Sequence, residues 1–173
     1  MNLVGRNLDL GRLHRAFPEW PSAAPAMSND MRVKIALAAD SATLGGETVA
    51  APRAQLDFAA GAEPRLMLDA EPPGRSRLHY DGAIAFAPDL RLHGALRLSS
   101  RDPGAFGRWI APAAPELAHA LAASPFTQVD VSADVTTQGR AFEAKVADAR
   151  LDRSTFAGVV KFQPSRDGLR ARL

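Results

Sequence analysis

The chain has no cysteine among its 173 residues, and aromatic side chains make up only 6% of it. Without cysteine it forms neither disulfides nor thiolate–metal sites. Few aromatic rings are available to stack on bases, and the basic residues are spread along the chain rather than clustered. These absences argue against nucleic acid as a partner. The hydrophobic fraction of 46% and the charged fraction of 23% are typical of a soluble folded domain.

A long apolar run is also missing. A membrane-spanning helix needs about 20 apolar residues, and no stretch of the sequence approaches that length. The first 20 residues, MNLVGRNLDLGRLHRAFPEW, carry charges where a signal peptide needs an apolar core. The final LRARL alternates like a strand, so the sequence stops inside a strand-like pattern. We therefore expect one module, residues 1–173, that is a truncated segment of a larger protein.

Catalytic motifs are absent from the sequence. It contains no G-x-S-x-G nucleophile elbow, no P-loop and no G-x-G-x-x-G, and its carboxylates fall mostly at the polar positions of alternating segments. None of the four histidines has a second ligand at a metal-binding spacing, although His79 and His93 are candidates to face each other across neighbouring strands. The sequence thus predicts no catalytic residue, no metal and no cofactor.

The dominant positive signal is alternation of apolar and polar residues. It is clearest at 129–136, and it resumes after the turn at 137–140 over 142–147 and then over 155–162. The first half repeats it at 33–39, 49–59, 65–70, 78–86 and 90–98, with breaks rich in glycine and proline between them. About nine strands joined by short turns predict a mainly β fold. We expect an antiparallel meander that forms a curved, groove-like or partly closed sheet.

One helical segment divides the two β halves. Residues 102–121 have N-cap candidates in Ser99, Ser100 and Asp102, and Pro103 lies at a first-turn position. Pro112 and Pro115 divide the segment, which predicts one or two short helices. Residues 18–30 contain three prolines and no periodicity, so they are interpreted as a loop or linker.

An amphipathic sheet of this kind needs a cover for its apolar face. A second sheet or the helices would make a closed sandwich core, which is the more common arrangement. The functional alternative is an acyl chain lying in a long groove, bound by apolar burial worth about 25 cal/mol per Å². Glycine and alanine recur on the apolar face and leave room there, and the predicted helices are too few to cover it. Both readings remain open from the pattern alone.

Two stretches carry a resemblance to a known family. The run from Pro72-Pro73-Gly74 through the Leu92-His93-Gly94 strand to the helix with Trp109 resembles the AsmA family of bacterial envelope proteins. So does the run 149–160, ARLDRSTFAGVV, with its Leu, a few polar residues and Gly158 at the opening of a strand. The resemblance covers about two-thirds of the chain, from residue 31 onward, and rests on the spacing of glycines, a short helix with Trp and alternating strands.

The resemblance implies a non-enzymatic, periplasmic lipid-groove segment. Such proteins are anchored in the inner membrane by an N-terminal helix, which this chain lacks, and they are implicated in phospholipid transport to the outer membrane and in outer-membrane assembly. Phospholipid acyl chains would then be the ligand, with other envelope proteins as further partners. A structural or protein-interaction module of the envelope, with a closed core and no lipid, is the alternative.

The predicted site consists of apolar residues, which supply apolar surface for acyl chains, and of arginines, which contact lipid headgroups. The groove lining is predicted to be Leu78, Ile84, Phe86, Leu90, Leu92, Leu96, Leu98, Val129, Val131, Val135, Phe142, Val146, Phe156, Val160 and Phe162. The candidate headgroup contacts at a groove margin are Arg75, Arg77, Arg91 and Arg97.

Overall fold

A computed structural model describes residues 2–9, 32–44, 47–85, 91–111, 115–123, 125–138, 141–163 and 170–172. The predicted loop at 18–30 lies outside these ranges. All described strands join one sheet of ten. They are β1 (Asn2–Asp9), β2 (Arg32–Leu44), β3 (Glu47–Ala59), β4 (Arg65–Glu71), β5 (Arg77–Ala85), β6 (Arg91–Ser100), β7 (Val129–Gln138), β8 (Ala141–Leu151), β9 (Ser154–Gln163) and β10 (Arg170–Arg172).

The strands follow one another in the sheet in sequence order, from β1 at one edge to β10 at the other. From β2 onward every neighbouring pair is antiparallel. The predicted mainly β meander with short helices between two halves is therefore confirmed. The exception is β1, which pairs parallel to β2 and which the sequence pattern did not predict.

Alternating side chains explain why these segments form strands. On β7 the apolar Val129, Ala133 and Val135 are buried, whereas the intervening Asp134 and Thr136 are exposed. Successive side chains of a strand point to opposite faces, so this alternation gives each strand one face to bury and one to solvate. The strand order places these half-buried strands side by side.

A bulge interrupts β3 at a proline. Pairing with β4 shifts register between Ala50 and Arg53, and Ala51 adopts a φ of +45°. Pro52 has no N–H to donate to a ladder, so a bulge is a position that tolerates it. The buried positions Val49 and Pro52 are consequently separated by two residues instead of one.

Two helices occupy the connection between β6 and β7, as the sequence predicted: α1 (Pro103–Ile110) and α2 (Pro115–Ala122). The Asp102 carboxylate caps α1 by accepting a hydrogen bond from the Ala105 amide at 2.9 Å. Gly107 brings the helices together, because a Cβ there would lie 3.1 Å from the Ala118 carbonyl. The helices thus form a small hairpin packed on itself.

The turn between β4 and β5 fixes where α1 begins. The Gly74 carbonyl accepts hydrogen bonds from the Arg101 and Asp102 amides at 3.2 and 3.0 Å. Gly74 has a φ of +89°, and a Cβ there would collide with the Asp102 carbonyl. Two buried hydroxyls, of Ser76 and Ser100, lie 2.9 Å apart beneath this contact. The helical hairpin is therefore tied to one end of the sheet.

Candidate functional site

The apolar residues of successive strands share one face of the sheet, which we call the apolar face. Directly opposed residues in paired strands lie on the same face. One row of such residues crosses the sheet from β2 to β9 and consists of Leu37, Ala54, Leu68, Tyr80, Leu96, Ala133, Val146 and Gly158. Apart from the Tyr80 hydroxyl, this row carries no polar side-chain group. It shows that the strand registers bring the apolar positions together.

The predicted lining residues that the structure describes all belong to this face. Ile84, Val129, Val135 and Val146 are buried. Those that are half-buried are Leu78, Leu92, Leu96, Leu98, Val131, Phe142 and Val160. Phe156 is 39% exposed. Phe86 and Leu90 lie outside the described residues, and for Phe162 only the backbone of β9 is described.

The prediction missed several members of the apolar face. Leu66 and Leu68 of β4 pack against the buried cluster, and Ala149 of β8 is 0% exposed. Leu66 and Leu68 alternate with polar neighbours in the sequence, and this alternation was sufficient to predict that they lie on the apolar face. Ala149 follows the bulge on β8, where pairing with β9 shifts between Val146 and Ala149, and simple alternation does not carry across such a shift.

Tyr80 fills the space above a pair of glycines at the centre of the face. Gly82 and Gly94 are directly opposed, and a Cβ on either would collide with the backbone of the other strand. The Tyr80 hydroxyl lies 2.6 Å from the position that a Gly82 Cβ would take, and it donates a hydrogen bond to the Ala83 carbonyl at 2.9 Å. An aromatic ring lying over a strand glycine restores the packing that glycine lacks. The room that these glycines leave is therefore occupied by the protein itself.

No second layer covers the apolar face in the part of the chain that the structure describes. All strands there belong to the same sheet, and the central buried cluster contains no residue of α1 or α2. Tyr80 is nevertheless 4% exposed and Val135 3% exposed. Their burial comes from neighbours on the same face, as expected for a strongly twisted or coiled sheet. Toward β9 the same face opens to solvent at Phe156.

The opposite, polar face has its own row of opposed residues. This polar row is adjacent to the apolar row along the strands. From β3 to β8 it consists of Arg53, Asp69, His79, Arg97, Ser132 and Asp148. His79 Nδ1 lies 2.7 Å from an oxygen of Asp69. A cavity of about 690 Å³ is lined by this row together with Glu71, Arg77 and Asp130, among others. Because its arginines are matched by carboxylates, the cavity does not present a potential of one sign.

Two further ion pairs on the polar face join charged residues of neighbouring strands. Arg65 donates two hydrogen bonds to the Asp81 carboxylate, each at 2.8 Å, in the fork geometry of a strong pair. The hydrogen bond from Arg65 holds the pKa of Asp81 below its ordinary value. Lys161 and Glu143 pair across β8 and β9 at 2.9 Å. These pairs bridge neighbouring strands at the solvated surface.

The four candidate headgroup arginines do not form one cluster. Arg77, Arg91 and Arg97 lie on the polar face, opposite the predicted lining, and Arg75 lies in the turn before β5 with a φ of +53°. Arg91 and Arg97 are about 20 Å apart along β6 at roughly 3.4 Å per residue. A single lipid headgroup therefore does not reach all four, and headgroup contacts by individual arginines stay a prediction.

His79 and His93, the two candidates to face each other, are not opposed across β5 and β6. His79 is opposed to Arg97, and His93 is opposed to Ala83. His93 instead forms a 3.1 Å hydrogen bond with the Thr136 hydroxyl. Among the described residues no group of three potential metal-ligating side chains comes together.

Within the ranges that the structure describes, no helix has the length and hydropathy needed to span a bilayer. Comparison with protein-family models, with curated proteins and with solved structures returned no match.

Proposed function

We propose that the chain is a non-enzymatic lipid-binding module whose apolar face takes the acyl chains of phospholipid, as a segment of an AsmA-like envelope protein. The observation that carries the proposal is the continuous apolar row from Leu37 to Gly158 on a sheet with no covering layer in the described residues. In this proposal the module works in the periplasm of a full-length protein anchored in the inner membrane. It supports phospholipid transport and outer-membrane assembly.

An acyl chain suits this face because apolar burial is non-directional. Each Å² of apolar surface removed from water contributes about 25 cal/mol, and no hydrogen-bonding group is required. The face supplies such surface over many strands, and at β9 it remains accessible at Phe156. We place the first acyl contacts at this open end, because the centre is already filled by Tyr80 and its neighbours.

The headgroup arginines are not part of this proposal. A lipid lying on the apolar face has the sheet between its acyl chains and Arg77, Arg91 or Arg97. Solvation of the polar face explains these arginines without a ligand. The acyl chains alone therefore define the binding that we propose.

A structural module with a closed core is the second candidate. It is favoured by the tight burial of Tyr80, Val135 and Ala149 among other side chains of the same face. In that case the apolar face is simply the core of an envelope scaffold, and its partners are other proteins. The two candidates differ in whether lipid touches the open end of the face.

Phe156 and Val159 provide a matched pair of probes for this difference. They lie on the same strand, on opposite faces, and are 39% and 41% exposed. In two separate variants, each residue would be replaced by the photoreactive amino acid p-benzoylphenylalanine. Each variant would be mixed with vesicles of phosphatidylglycerol and phosphatidylethanolamine and irradiated. Mass spectrometry would then identify the lipid adducts. Lipid adducts from position 156 in clear excess over position 159 support the proposal. Equal labelling, or no adduct at 156, would favour the closed structural module.

A further inference from the structure

Three arginines line one cavity at the end of the sheet that carries the helical hairpin. The cavity has a volume of about 680 Å³, and Arg75, Arg77 and Arg101 all contribute to its wall. Arg77 is opposed to Ser99 across β5 and β6. The Arg101 amide donates a hydrogen bond to the Gly74 carbonyl at 3.2 Å, which places Arg101 beside Arg75. The turn before β5 and the end of β6 thus bring the three residues to one place, which we call the arginine site.

The three arginines of this site differ from other cations of the polar face in having no carboxylate partner. Arg65 pairs with Asp81 at 2.8 Å, and Lys161 pairs with Glu143 at 2.9 Å. Among the described residues, no carboxylate oxygen lies within 4 Å of a nitrogen of the three arginines. Like charges on neighbouring strands repel each other. An anion bound in the cavity would therefore lower the electrostatic energy of the site.

Two carboxylates, of Glu71 and Asp130, line another part of the same cavity. Asp130 accepts a hydrogen bond from the Gln128 side-chain amide at 2.8 Å. The cavity therefore has a cationic part and an acidic part that are not paired with each other. A small molecule that suits both parts carries an anionic group together with hydrogen-bond donors such as hydroxyl groups.

We propose that the arginine site binds the phosphoryl group of a polyol phosphate. A guanidinium presents its N–H groups as a fork that matches two oxygens of a phosphate. Three arginines around one cavity suit a group with several terminal oxygens better than they suit a single carboxylate. The volume of about 680 Å³ lies in the range of small-molecule sites, so the polyol fits beside the phosphate. There Glu71 and Asp130 accept hydrogen bonds from its hydroxyl groups.

This site is separate from the apolar face, so it does not depend on acyl binding. Solvation explains Arg77 as a single residue, whereas a ligand explains why it shares a cavity with Arg75 and Arg101 and with no paired carboxylate. An absence of lipid adducts at Phe156 would leave the arginine site unaffected. Failure to bind phosphate would in turn leave the acyl proposal unaffected. A polyol phosphate reaches the site either as a free ester or as the headgroup of a lipid.

Titration of the full chain with sn-glycerol 3-phosphate and with inorganic phosphate tests the site. The probes are added at an ionic strength held constant with sodium chloride, so that general screening does not change. By nuclear magnetic resonance we expect the backbone amides of 74–77 and 99–102 to shift with saturation. Glycerol 3-phosphate should bind more tightly than inorganic phosphate, because only the ester carries hydroxyl groups for the acidic part of the cavity.

Arg75→Gly and Arg101→Gln each remove one guanidinium from the site. Arg75 has a φ of +53°, which glycine adopts without strain, so Arg75→Gly keeps the turn. Each variant should bind glycerol 3-phosphate about tenfold more weakly, as expected for the loss of hydrogen bonds between charged groups. Arg91→Gln is the matched control, because Arg91 is exposed about 30 Å from Arg101 along β6. Its binding should be unchanged, and circular dichroism verifies that each variant is folded.

Vesicles of equal parts phosphatidylglycerol and phosphatidylcholine distinguish the two sources of the ligand. A lipid headgroup is the source if sedimentation with these vesicles falls in Arg75→Gly and Arg101→Gln but not in Arg91→Gln. A free ester is the source if only the binding of glycerol 3-phosphate falls.

Three results would overturn the inference. The first is an absence of amide shifts with either phosphate probe at constant ionic strength. The second is equal weakening in Arg91→Gln and Arg101→Gln, which would indicate attraction by net charge rather than a site. The third is inorganic phosphate that binds as tightly as the ester, which would exclude a polyol phosphate as the ligand.

Discussion

Tyr80 lies over Gly82, with its hydroxyl 2.6 Å from the position that a Cβ on that glycine would take. The glycine is a feature of the sequence, and the ring that lies over it is a feature of the folded structure. A glycine in a strand interior weakens the strand, and a neighbouring aromatic ring compensates for the missing side chain. The opposed Gly94 allows the two strands to approach closely at this point. The centre of the apolar face therefore depends on these residues as a unit.

We predict that Gly82→Ala destabilises the fold. The added methyl group meets the His93 carbonyl and the Gly94 Cα, neither of which can move without shifting β6. Forcing an extra methyl group into a packed site costs about 1–3 kcal/mol. Urea unfolding followed by circular dichroism measures the change.

Gly158→Ala is the matched control for that substitution. Gly158 is also on the apolar face, but a Cβ there meets nothing within 4 Å. Its free energy of unfolding should change by less than about 0.5 kcal/mol. Equal losses in the two variants would contradict the close approach of β5 and β6.

We predict that the phenol of Tyr80 titrates above its ordinary range in the folded protein. Burial raises the pKa of Tyr80 by disfavouring the charged form, although a hydrogen bond with the His93 backbone acts in the opposite direction. Tyr80 is the single tyrosine of the chain, so the change in ultraviolet absorbance that accompanies tyrosine ionisation reports this group alone. The absorbance midpoint should lie at higher pH in the folded chain than in urea.

The raised pKa of Tyr80 also makes stability depend on alkaline pH. A group with a raised folded-state pKa contributes stability that is complete below its unfolded pKa, near pH ~10, and is lost as the pH rises through the folded value. Tyr80→Phe should lack this dependence on pH. An identical alkaline profile in both proteins would exclude Tyr80 as its source.

We predict that Asp152→Asn destabilises the turn between β8 and β9 near neutral pH. The Asp152 carboxylate accepts hydrogen bonds from the Thr127 hydroxyl at 2.8 Å and from the Gln128 amide at 2.8 Å. The Thr127 hydroxyl holds the pKa of Asp152 below its ordinary value, and the backbone hydrogen bonds act in the same direction. Asparagine tolerates the positive φ of +53° at this position, so the substitution mainly removes the charge.

The effect of Asp152→Asn should shrink in acid. A lowered folded-state pKa contributes stability that is present above the ordinary value near pH ~3.9 and is lost as the pH falls through the folded pKa. Thermal unfolding from neutral to acid pH measures the difference between the two proteins. Asp148→Asn, at an exposed position opposite Ser132, is the control and should have little effect throughout. A deficit in Asp152→Asn that is constant with pH would contradict the assignment.

We predict that Gly158→Trp reduces binding of phospholipid to the chain. The indole would project from the open part of the apolar face, where a Cβ meets nothing within 4 Å. Binding of a fluorescent phospholipid measures the effect. Stability should change little, because Gly158 is an exposed position.

Ala157→Trp is the control for that substitution, since Ala157 is exposed on the polar face of the same strand. Any effect of a bulky ring on β9 itself would appear in both variants. A specific loss of lipid binding in Gly158→Trp supports an acyl site on the apolar face. Equal binding in the two variants would contradict it.

Alternation alone was enough to predict the strands and the face on which most side chains lie. Val131 and Val135 occupy the face expected of them because the direction of a side chain follows from local strand geometry. The helix start was predictable for the same reason, since the cap at Asp102 and the proline at 103 act on neighbouring backbone groups. The parallel strand β1 was not, because its pairing with β2 joins residues distant in the sequence.

Tertiary structure alone decided how deeply each residue of the apolar face is buried. Val135 and Phe156 fit the same alternating pattern, yet the first is 3% exposed and the second 39%. Val135 lies on a strand paired along both edges, whereas Phe156 lies on β9 beyond the reach of β10. The sequence by itself determined which face each residue occupies, because that is set within the strand. Burial was decided by the neighbouring strands, and these are set by register across the sheet.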